Sequence, residues 1–448
     1  MLIIIAPTSN RFQILLTNYQ NVHNILKLAI ITDEFINNIN EDKMKLSEEL
    51  TWRGFVSQTT YDDITKLDGD PISFYWGVDP SADSMTVGHL AAAMMVRHFI
   101  DHGHKAYLLV GGATGLIGDP DGKADERNLK SIEDITKNKN AIAAQYSRLF
   151  DGKDFTIVDN YDWFKDMKFL DFLRDVGKHV PVNQMLGREF VQSRLDNNNG
   201  SGISYAEFSY ALIQGYDFVH LLREFGVTLQ LCGSDQWGNC IAGVDLARRM
   251  DSKEINVFSM PLVINKATGV KFGKSEAGAV WLDPAKTSVY KFYQFWLNID
   301  DESVVDYLKL FTLTDKEQID NLMRLVAENP GERAAQKFLA DTVTTTVHGK
   351  DRTESVKRVT KVLFGGADFG SLKDTDLDAL ASEIPIVQVG NTIINALTQS
   401  GVVSSNGESR RLISSGAISV NGEKISNDAE VTAVSLIKKG KNSFILVR

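Results

Sequence analysis

Short apolar runs alternate with amphipathic stretches from residue 72 onward, and this alternation constrains the fold more than any other feature of the chain. The runs have the length of buried strands, and the stretch between the first two has the apolar spacing of a helix. In chain order these segments are residues 72–76, 90–100, 106–110, 156–158 and 229–232. Strands joined by helical crossovers lie parallel in one sheet with helices on its faces. The sequence therefore predicts an α/β domain with a parallel sheet.

The character of the sequence changes on both sides of this domain. An Asn-rich stretch precedes it, and helical apolar spacing, a turn-rich stretch and a mixture of short helices and strands follow it. We divide the chain at these changes into five segments. They are a poorly packed, unstructured extension (1–43), the α/β domain (44–265), a loop with an α-helical domain (266–364), a linker (365–384) and a small α+β domain (385–448).

Charge is distributed unevenly along the chain. The net charge of −10 argues against nonspecific binding of DNA or other nucleic acid over the whole surface. The last 64 residues nevertheless carry seven Lys or Arg against four acidic residues, a local net charge of +3. A basic terminal unit of this kind is typical of an RNA-binding module, and a solvated mixed-charge surface is the alternative.

Two protein classes are excluded by composition. No apolar run reaches the ~18 residues that a membrane span requires, so no membrane partner is expected. Only two cysteines occur, which excludes a disulfide scaffold and fits a reducing compartment. We therefore expect a cytoplasmic protein.

The loop between the first predicted strand and the following helix is a candidate binding site. It begins near Gly77 and Asp79 and ends at Thr86, Gly88 and His89. Backbone N–H groups at a helix N-terminus attract phosphate, and glycine lets a ligand approach the backbone closely. Thr86 and His89 are three residues apart, so both side chains can face one bound group. An ordinary loop with a capping hydroxyl is the alternative.

A glycine-rich segment, residues 111–123, follows the second predicted strand. Its spacing matches neither the dinucleotide fingerprint G-x-G-x-x-G nor the phosphate loop G-x-x-x-x-G-K-S/T, so hydride transfer and P-loop chemistry lose their main support. The segment instead presents Asp119 on a turn, followed by Lys123 and Arg127 four residues apart. Two cations on a mobile loop suit a polyphosphate, and a surface helix is the alternative.

Residues 207–220 predict a helix with one polar stripe. Tyr210, Gln214 and Asp217 are spaced by four and three residues and therefore share one face, whereas their neighbours are largely apolar. We interpret the stripe as the wall of a buried polar pocket, with a solvated face as the alternative. A phenol, an amide and a carboxylate together can hold an ammonium group and a hydroxyl.

A short lysine–glycine loop is the fourth candidate. Lys271 and Lys274 flank Gly273, and Ser275 follows. Two lysines on a flexible loop can close over a triphosphate, although such loops are also common on solvated surfaces.

Together these segments resemble the class I aminoacyl-tRNA synthetases, and specifically the bacterial type of tyrosyl-tRNA synthetase. Residues 86–89 (TVGH) resemble the family's HIGH signature, and residues 271–275 (KFGKS) resemble its KMSKS loop. The stretches GGATGLIGDP, EFSYALIQGYDF and GSDQWGN are similar to the tyrosine-specific versions of these regions. The resemblance runs from about residue 44 to residue 448.

The resemblance implies a Rossmann-like catalytic domain, a helical anticodon-region domain and a small RNA-binding domain. It implies attachment of L-tyrosine to tRNA(Tyr) through a tyrosyl-adenylate, with ATP as a substrate. Mg²⁺ would accompany ATP, carried mainly by its phosphates, with no metal bound by protein ligands. A homodimer is implied as well.

Residue roles also follow from the resemblance. The reacting phosphates would be contacted by Thr86, His89, Lys123, Arg127, Lys271, Lys274 and Ser275. Tyrosine would be held by Tyr75 and Asp217 at its hydroxyl, and elsewhere by Asp119, Tyr210, Gln214 and Gln236. The rest of ATP would be framed by Gly77, Asp79, Gly88, Gly233 and Asp235, and tRNA would be contacted by Arg410, Arg411, Lys438 and Lys439. Relatives commonly carry histidine where this chain has Thr86, so the role of that position stays open.

Two other functions remain open at this point. The tryptophanyl enzyme shares the fold, although Asp217 together with Tyr75 favours a phenol over an indole. A catalytically silent RNA-binding protein built on the same fold is the second alternative, and the near-complete forms of both signatures argue against it.

Overall fold

The computed structural model describes residues 5–8, 11–14, 44–120, 129–188, 191–192, 195, 202–265, 269, 271–275 and 278–448, with backbone alone at 5–8, 11–14 and 274–275. Within the segment predicted to be unstructured, strands β1 (Ile5–Thr8) and β2 (Arg11–Ile14) pair as an antiparallel hairpin. Among the helices in the described ranges, none combines the length and apolarity that crossing a bilayer requires.

A six-stranded sheet forms the centre of the α/β domain. Its spatial order is β3 (Gln58–Thr59), β8 (Asn256–Met260), β7 (Val227–Gly233), β4 (Ser73–Val78), β5 (Lys105–Val110) and β6 (Phe155–Asp159). Neighbouring strands are parallel except β3, which pairs antiparallel with β8. The chain builds outward from β4 in one direction through β5 and β6 and then in the other through β7 and β8. The predicted parallel α/β sheet is confirmed, and its topological switch point lies between β4 and β7.

Helices cover both faces of this sheet. In chain order they are α1 (Leu46–Arg53), α2 (Val87–Asp101), α3 (Thr114–Ile117), α4 (Ile132–Leu149), α5 (Tyr161–Phe164), α6 (Phe169–Asp175), α7 (Val182–Leu186), α8 (Tyr205–Phe225) and α9 (Trp237–Asp251), with 3₁₀ turns at Ile64–Asp68, Gly177–His179 and Ser234–Gln236. Helix α2 begins one turn earlier than its apolar spacing predicts because Thr86 caps it, so His89 lies in its first turn. Helices α8 and α9 pack closely at Gly215 and Gly243, where a Cβ on Gly215 would lie 3.3 Å from the Gly243 nitrogen.

A short hairpin and a helical domain follow. The hairpin joins β9 (Lys274–Ser275) to β10 (Gly278–Ala279), and the helices are α10 (Val289–Leu297), α11 (Val304–Phe311), α12 (Lys316–Glu328), α13 (Ala334–His348) and α14 (Lys350–Phe364), with a 3₁₀ turn at Pro330–Glu332. Asp315 caps α12 by accepting a hydrogen bond from the Gln318 N–H at 2.8 Å. The helical region predicted from the apolar spacing is therefore present.

The buried side chain of Arg53 ties α1 to the helical domain. Its guanidinium donates to the carbonyls of Lys309, Thr312 and Thr314 at 3.0, 3.0 and 2.8 Å, and to the Glu49 carboxylate at 3.0 Å. The carbonyls of Lys309 and Thr312 lie at the C-terminal end of α11, where helix carbonyls lack intrahelical partners and a cation is favourable, and that of Thr314 lies in the loop that follows.

The last segment folds into the small α+β domain that the sequence predicts. Its sheet has the order β11 (Ile386–Val387), β15 (Ser443–Val447), β14 (Ser435–Lys439), β12 (Ile418–Val420) and β13 (Glu423–Lys424). Helices α16 (Ile393–Gln399) and α17 (Asn406–Ser414) accompany it, and α17 carries Arg410 and Arg411 exposed.

The stretch predicted as a linker contains a 3₁₀ turn, Phe369–Ser371, and helix α15 (Asp374–Ala381), which packs against both neighbouring domains. Arg358 on α14 donates to both oxygens of Asp376 at 2.7 and 2.8 Å, and the Lys438 ammonium donates to the Leu363 carbonyl at 3.1 Å. Buried apolar residues from α14, the 3₁₀ turn, α15 and the terminal sheet form one set that we call the docking cluster: Val359, Val362, Leu363, Phe369, Leu377, Leu380, Leu436, Phe444 and Leu446.

Candidate active site

A cavity of about 350 Å³ opens at the carboxyl ends of β4 and β7, at the topological switch point of the sheet. Parallel α/β sheets bind ligands at this position, because the loops that leave adjacent strands diverge there. Residues with predicted roles in binding tyrosine, nucleotide and phosphate all line it: Tyr75, Gly77, Asp79, Thr86, Gly88, His89, Asp119, Tyr210, Gln214, Asp217, Gly233, Asp235, Gln236 and Lys271. The structure thus brings together segments that lie far apart in the sequence.

The structure does not describe the side chains of four residues that are predicted to contact phosphate. Lys123 and Arg127 lie outside the described residues. Lys274 and Ser275 form β9, which is described by its backbone alone.

The hydroxyl of Tyr75 lies at the buried end of the cavity and has no hydrogen-bond partner among the described residues. Asp217, also fully buried, accepts hydrogen bonds from the Asn160 amide at 3.0 Å and the Trp163 indole N–H at 2.9 Å. Burial raises the pKa of Asp217 well above its usual range, and these two donors act in the opposite direction. Each carboxylate oxygen retains a lone pair, so Asp217 can still accept a hydrogen bond from a ligand.

Asn160, Trp163 and Thr114 are site residues that the sequence analysis missed. Asn160 and Trp163 orient Asp217, while Thr114 donates to Asp79 at 2.6 Å and accepts from Asn160 at 3.0 Å. Asn160 directly follows β6, two residues beyond the strand predicted at 156–158, and the carboxyl end of a parallel strand is where functional side chains collect. The position of Asn160 after a strand was the feature of the sequence that could have identified it as a site residue.

Polar groups suited to an ammonium group occupy the middle of the cavity. The Tyr210 hydroxyl donates to Asp79 at 2.7 Å, and the Gln236 amide donates to Asp119 at 2.5 Å. The side-chain oxygen of Gln214 is buried and has no partner among the described residues. Carboxylates and a free amide oxygen together favour a cationic ligand group.

The glycine-rich turn after β5 permits this arrangement. A Cβ on Gly111 would lie 2.2 Å from an Asp79 oxygen and 2.3 Å from the Thr114 hydroxyl. Such distances are far below van der Waals contact, so only glycine fits beside this carboxylate.

Thr86, His89, Lys271 and Asp235 form another group among the residues that line the cavity, close to one another. The His89 ring lies beside Thr86, and burial, with the charge of Lys271, lowers the pKa of His89 to about 4. The Lys271 ammonium forms an ion pair with Asp235 at 2.9 Å. This group therefore presents a neutral imidazole and a lysine held by an acid.

Backbone hydrogen bonds join the start of α2 to the residues that follow the lysine–glycine loop. The Val87 N–H donates to the Val280 carbonyl at 3.0 Å, and the Leu282 N–H donates to the Met85 carbonyl at 2.9 Å. Gly273, with a φ of 91°, packs against Val87. The lysine–glycine loop is consequently anchored beside the start of α2.

Comparison with known proteins places this geometry in a family. Residues 67–365 match the family model for tRNA synthetases class I (W and Y), and residues 376–448 match the model for the tyrosine–tRNA ligase SYY-like C-terminal domain. The chain is 43% identical over 420 residues to tyrosine–tRNA ligase of Limosilactobacillus reuteri, covering 90% of this chain and 100% of that protein. It is 42% identical over 419 residues to the Staphylococcus haemolyticus tyrosine–tRNA ligase, covering 90% and 98%.

A solved structure agrees with these matches. The C-terminally truncated mitochondrial tyrosyl-tRNA synthetase of Aspergillus nidulans superposes with a TM-score of 0.65 and 28% identity, covering 74% of this chain and 98% of that one. The chain therefore belongs to the class I tRNA synthetases of the tryptophan and tyrosine type. Within that class it belongs to the tyrosine–tRNA ligase family, as its sequence predicts.

Proposed function

We propose that this chain attaches L-tyrosine to tRNA(Tyr) in two ATP-dependent steps. The tyrosine carboxylate attacks the α-phosphate of ATP, which forms tyrosyl-adenylate and releases pyrophosphate. A ribose hydroxyl at the 3′ end of the tRNA then takes the tyrosyl group, and AMP leaves. One observation carries the proposal: a single cavity holds a buried, unpartnered phenol beside a buried carboxylate and, with them, residues of both signature segments.

The hydroxyl of tyrosine is the group that selects the amino acid. It would donate to Asp217 and accept from Tyr75, which satisfies both buried groups. Phenylalanine would leave the Tyr75 hydroxyl unpaired and Asp217 with only its bonds to Asn160 and Trp163, and an unsatisfied buried polar group costs about 1–3 kcal/mol. Because Asn160 and Trp163 already orient Asp217, this selection needs no rearrangement of the carboxylate.

The ammonium group of tyrosine fits the acidic middle of the cavity. Asp119, Tyr210 and Gln214 would hold it, with Gln236 between the ammonium and carboxylate ends. Gly77, Asp79, Gly233 and Asp235 would frame the ribose of ATP, because they line the neighbouring part of the same cavity.

Catalysis would rest on positioning and on fixed charges rather than on a protein nucleophile. His89 and Lys271 would contact the phosphates, and Lys123, Arg127, Lys274 and Ser275 would complete the contacts as pyrophosphate leaves. Removing one such donor typically costs about 3–4 kcal/mol in the transition state. The nucleotide would enter with Mg²⁺ bound to its own phosphates.

The tRNA contacts proposed for the terminal domain are supported unequally. Arg410 and Arg411 are exposed on α17 and can reach phosphates. The ammonium groups of Lys438 and Lys439 instead donate to the carbonyls of Leu363 and Val402, at 3.1 and 2.8 Å. We therefore assign RNA contact first to the two arginines.

A homodimer is part of the proposal. Large apolar side chains are exposed along one stretch of the chain, including Phe169, Leu170 and Val182, which are 64%, 74% and 60% exposed. A second copy of the chain would cover them, and a monomeric sedimentation coefficient at micromolar concentration would contradict this. We place the reaction in the cytoplasm, which is consistent with two free cysteines, Cys232 and Cys240.

Exchange of labelled pyrophosphate into ATP tests the proposed function. Purified protein should catalyse exchange with tyrosine and far less with phenylalanine or tryptophan. Absence of exchange at saturating tyrosine would contradict the proposal. Exchange with tryptophan instead would indicate the tryptophanyl enzyme, and tRNA binding without any exchange would indicate a silent RNA-binding protein.

A further inference from the structure

The carboxylate of Asp159 joins three segments at the carboxyl end of β6. Its Oδ1 accepts hydrogen bonds from the backbone N–H groups of Gly112 and Tyr161 at 3.2 and 3.0 Å, and its Oδ2 accepts one from the Lys139 ammonium at 2.6 Å. A Cβ on Gly112 would lie 2.3 Å from Oδ1, so the carboxylate lies directly against the backbone of the glycine-rich turn. Because a side-chain oxygen accepts these bonds, a residue without such an acceptor cannot form them.

Both groups that donate to Asp217 lie in the segment that begins at Asp159. The side-chain oxygen of Asn160 accepts a hydrogen bond from the Ala113 N–H in the glycine-rich turn at 2.7 Å, and a backbone N–H can only donate. The amide nitrogen of Asn160 therefore faces Asp217 and donates to it at 3.0 Å. The indole N–H of Trp163, on α5, donates to the other oxygen of Asp217 at 2.9 Å. The orientation of Asp217 thus depends on how the glycine-rich turn and the start of α5 are held together.

Asp159 acts from outside the candidate active site. It is not among the described residues that line the cavity of about 350 Å³, and it lines instead a separate cavity of about 560 Å³ together with Lys139 and Trp163. We propose that Asp159 is a positioning residue for tyrosine selection, because its carboxylate fixes the glycine-rich turn to the start of α5 and so holds Asn160 and Trp163 against Asp217. This inference rests on the proposed function.

The charge of Asp159 has a separate effect on Asp217. Burial is the main cause that raises the pKa of Asp217, and the negative charges of Asp79 and Asp159 add to it. Lys139 pairs with Asp159 and offsets part of that charge. An asparagine at position 159 would keep an acceptor for the two backbone N–H groups without carrying the charge, so the two effects can be separated by substitution.

Three variants distinguish the hydrogen bonds of Asp159 from its charge. Asp159→Ala removes both, Asp159→Asn keeps an acceptor oxygen, and Lys139→Met removes only the ion pair. In pyrophosphate exchange we expect Asp159→Ala to raise the KM for tyrosine and to lower discrimination against phenylalanine roughly 3- to 10-fold, the effect of one hydrogen bond, with the KM for ATP unchanged. Asp159→Asn and Lys139→Met should retain the discrimination.

A merely structural role of Asp159 predicts a different result. A smaller folded fraction of Asp159→Ala would lower kcat for tyrosine and for phenylalanine alike and leave the ratio of their kcat/KM values unchanged. An unchanged ratio would therefore overturn the inference. A loss of discrimination in Lys139→Met as large as that in Asp159→Ala would also overturn it, because the charge would then be the cause.

The indole signals of the tryptophans provide a test that needs no activity. The chain has six tryptophans, and Trp163→Phe identifies the nitrogen-15-coupled indole signal of Trp163 by its loss. The indole proton of Trp163 should move upfield in Asp159→Ala, because its hydrogen bond to Asp217 weakens, and should return in Asp159→Asn. An unchanged signal in folded Asp159→Ala would overturn the inference. The expected shifts, with no exchange by the unchanged chain, would instead refute the proposed function and leave the positioning of Asp217 by Asp159 standing.

Discussion

The Tyr75 hydroxyl and the Asp217 carboxylate lie at the same end of the cavity but differ in how they are satisfied. Asp217 already accepts two hydrogen bonds, whereas Tyr75 is buried without a partner among the described residues. A buried hydroxyl in that state destabilises the ligand-free protein, so its position is best explained by a ligand that pairs with it.

The substitution Tyr75→Phe separates the effect of the Tyr75 hydroxyl on stability from its effect on amino-acid selection. Because the hydroxyl lacks a partner, its removal should leave the free energy of unfolding unchanged or raise it by up to about 1 kcal/mol. Discrimination between tyrosine and phenylalanine in pyrophosphate exchange should fall roughly 3- to 10-fold. Urea denaturation and exchange kinetics measure the two effects.

Tyr146→Phe is the matched control for this substitution. Tyr146 is equally buried, but its hydroxyl donates to the Leu109 carbonyl at 3.2 Å. Removing it should lower the free energy of unfolding by about 1 kcal/mol and leave amino-acid selection unchanged. If both variants lost selectivity alike, the pocket would be assigned wrongly.

At the scale of residues, the sequence carries most information where a motif is contiguous. Thr86, Gly88 and His89 lie within four consecutive positions, and the stripe on α8 follows from helical spacing. The contact between Asn160 and Asp217 depends on which strands and helices meet in space, and no local pattern carries that information. For the same reason the use of Lys438 and Lys439 within the fold could not be anticipated.

At the scale of elements, α15 is the clearest difference between sequence and structure. Glycines and polar residues dominate the stretch before it, and α15 itself has only two large apolar residues, Leu377 and Leu380, so the composition indicates a linker. The helix forms because Leu377 and Leu380 pack into the docking cluster and Arg358 holds Asp376. Strands and longer helices were predictable because their apolar spacing repeats over several turns or residues.

The attachment of α15 to α14 should be sensitive to acid. Burial alone would raise the pKa of Asp376, but hydrogen bonds from Arg358, Ser355 and the Lys373 N–H lower it from 3.8 to about 2. Because the folded pKa lies below the unfolded value, this stabilisation is complete above about pH 4 and is lost as the pH falls through about 2, for at most about 2 kcal/mol.

Asp376→Asn should remove this pH dependence. Urea unfolding at roughly pH 5 and pH 2 should show a smaller loss of stability in the variant than in the unchanged chain. Asp378→Asn on the same helix is the control, because Asp378 is 66% exposed. A loss of pH dependence in the control as large as that in Asp376→Asn would contradict the role of the Arg358 pair.

At the scale of the whole molecule, the docking cluster joins the terminal domain to the helical domain through a shared apolar core. Apolar residues from α14, α15 and the terminal sheet share one core, and Lys438 adds a hydrogen bond across the boundary. The exposed arginines of α17 therefore belong to a domain that packs against the helical domain.

Leu380→Ala should loosen this arrangement. Leu380 is fully buried in the docking cluster, and such truncations cost about 2–5 kcal/mol. We expect a larger radius of gyration in small-angle X-ray scattering and a several-fold higher KM for tRNA, with pyrophosphate exchange unchanged. Arg411→Ala should raise the KM for tRNA without changing the radius of gyration. An unchanged radius in Leu380→Ala would contradict docking through this cluster.

In the proposed function, the ion pair between Lys271 and Asp235 competes with ATP, because Lys271 would leave Asp235 to contact the phosphates. An exposed pair is worth about 1 kcal/mol or less, so this self-contact weakens nucleotide binding at most roughly five-fold. ATP can offer Lys271 a triphosphate in exchange for the carboxylate it gives up. Adenosine has no phosphate that could replace the carboxylate as the partner of Lys271. The pair would therefore disfavour binding of unphosphorylated nucleosides.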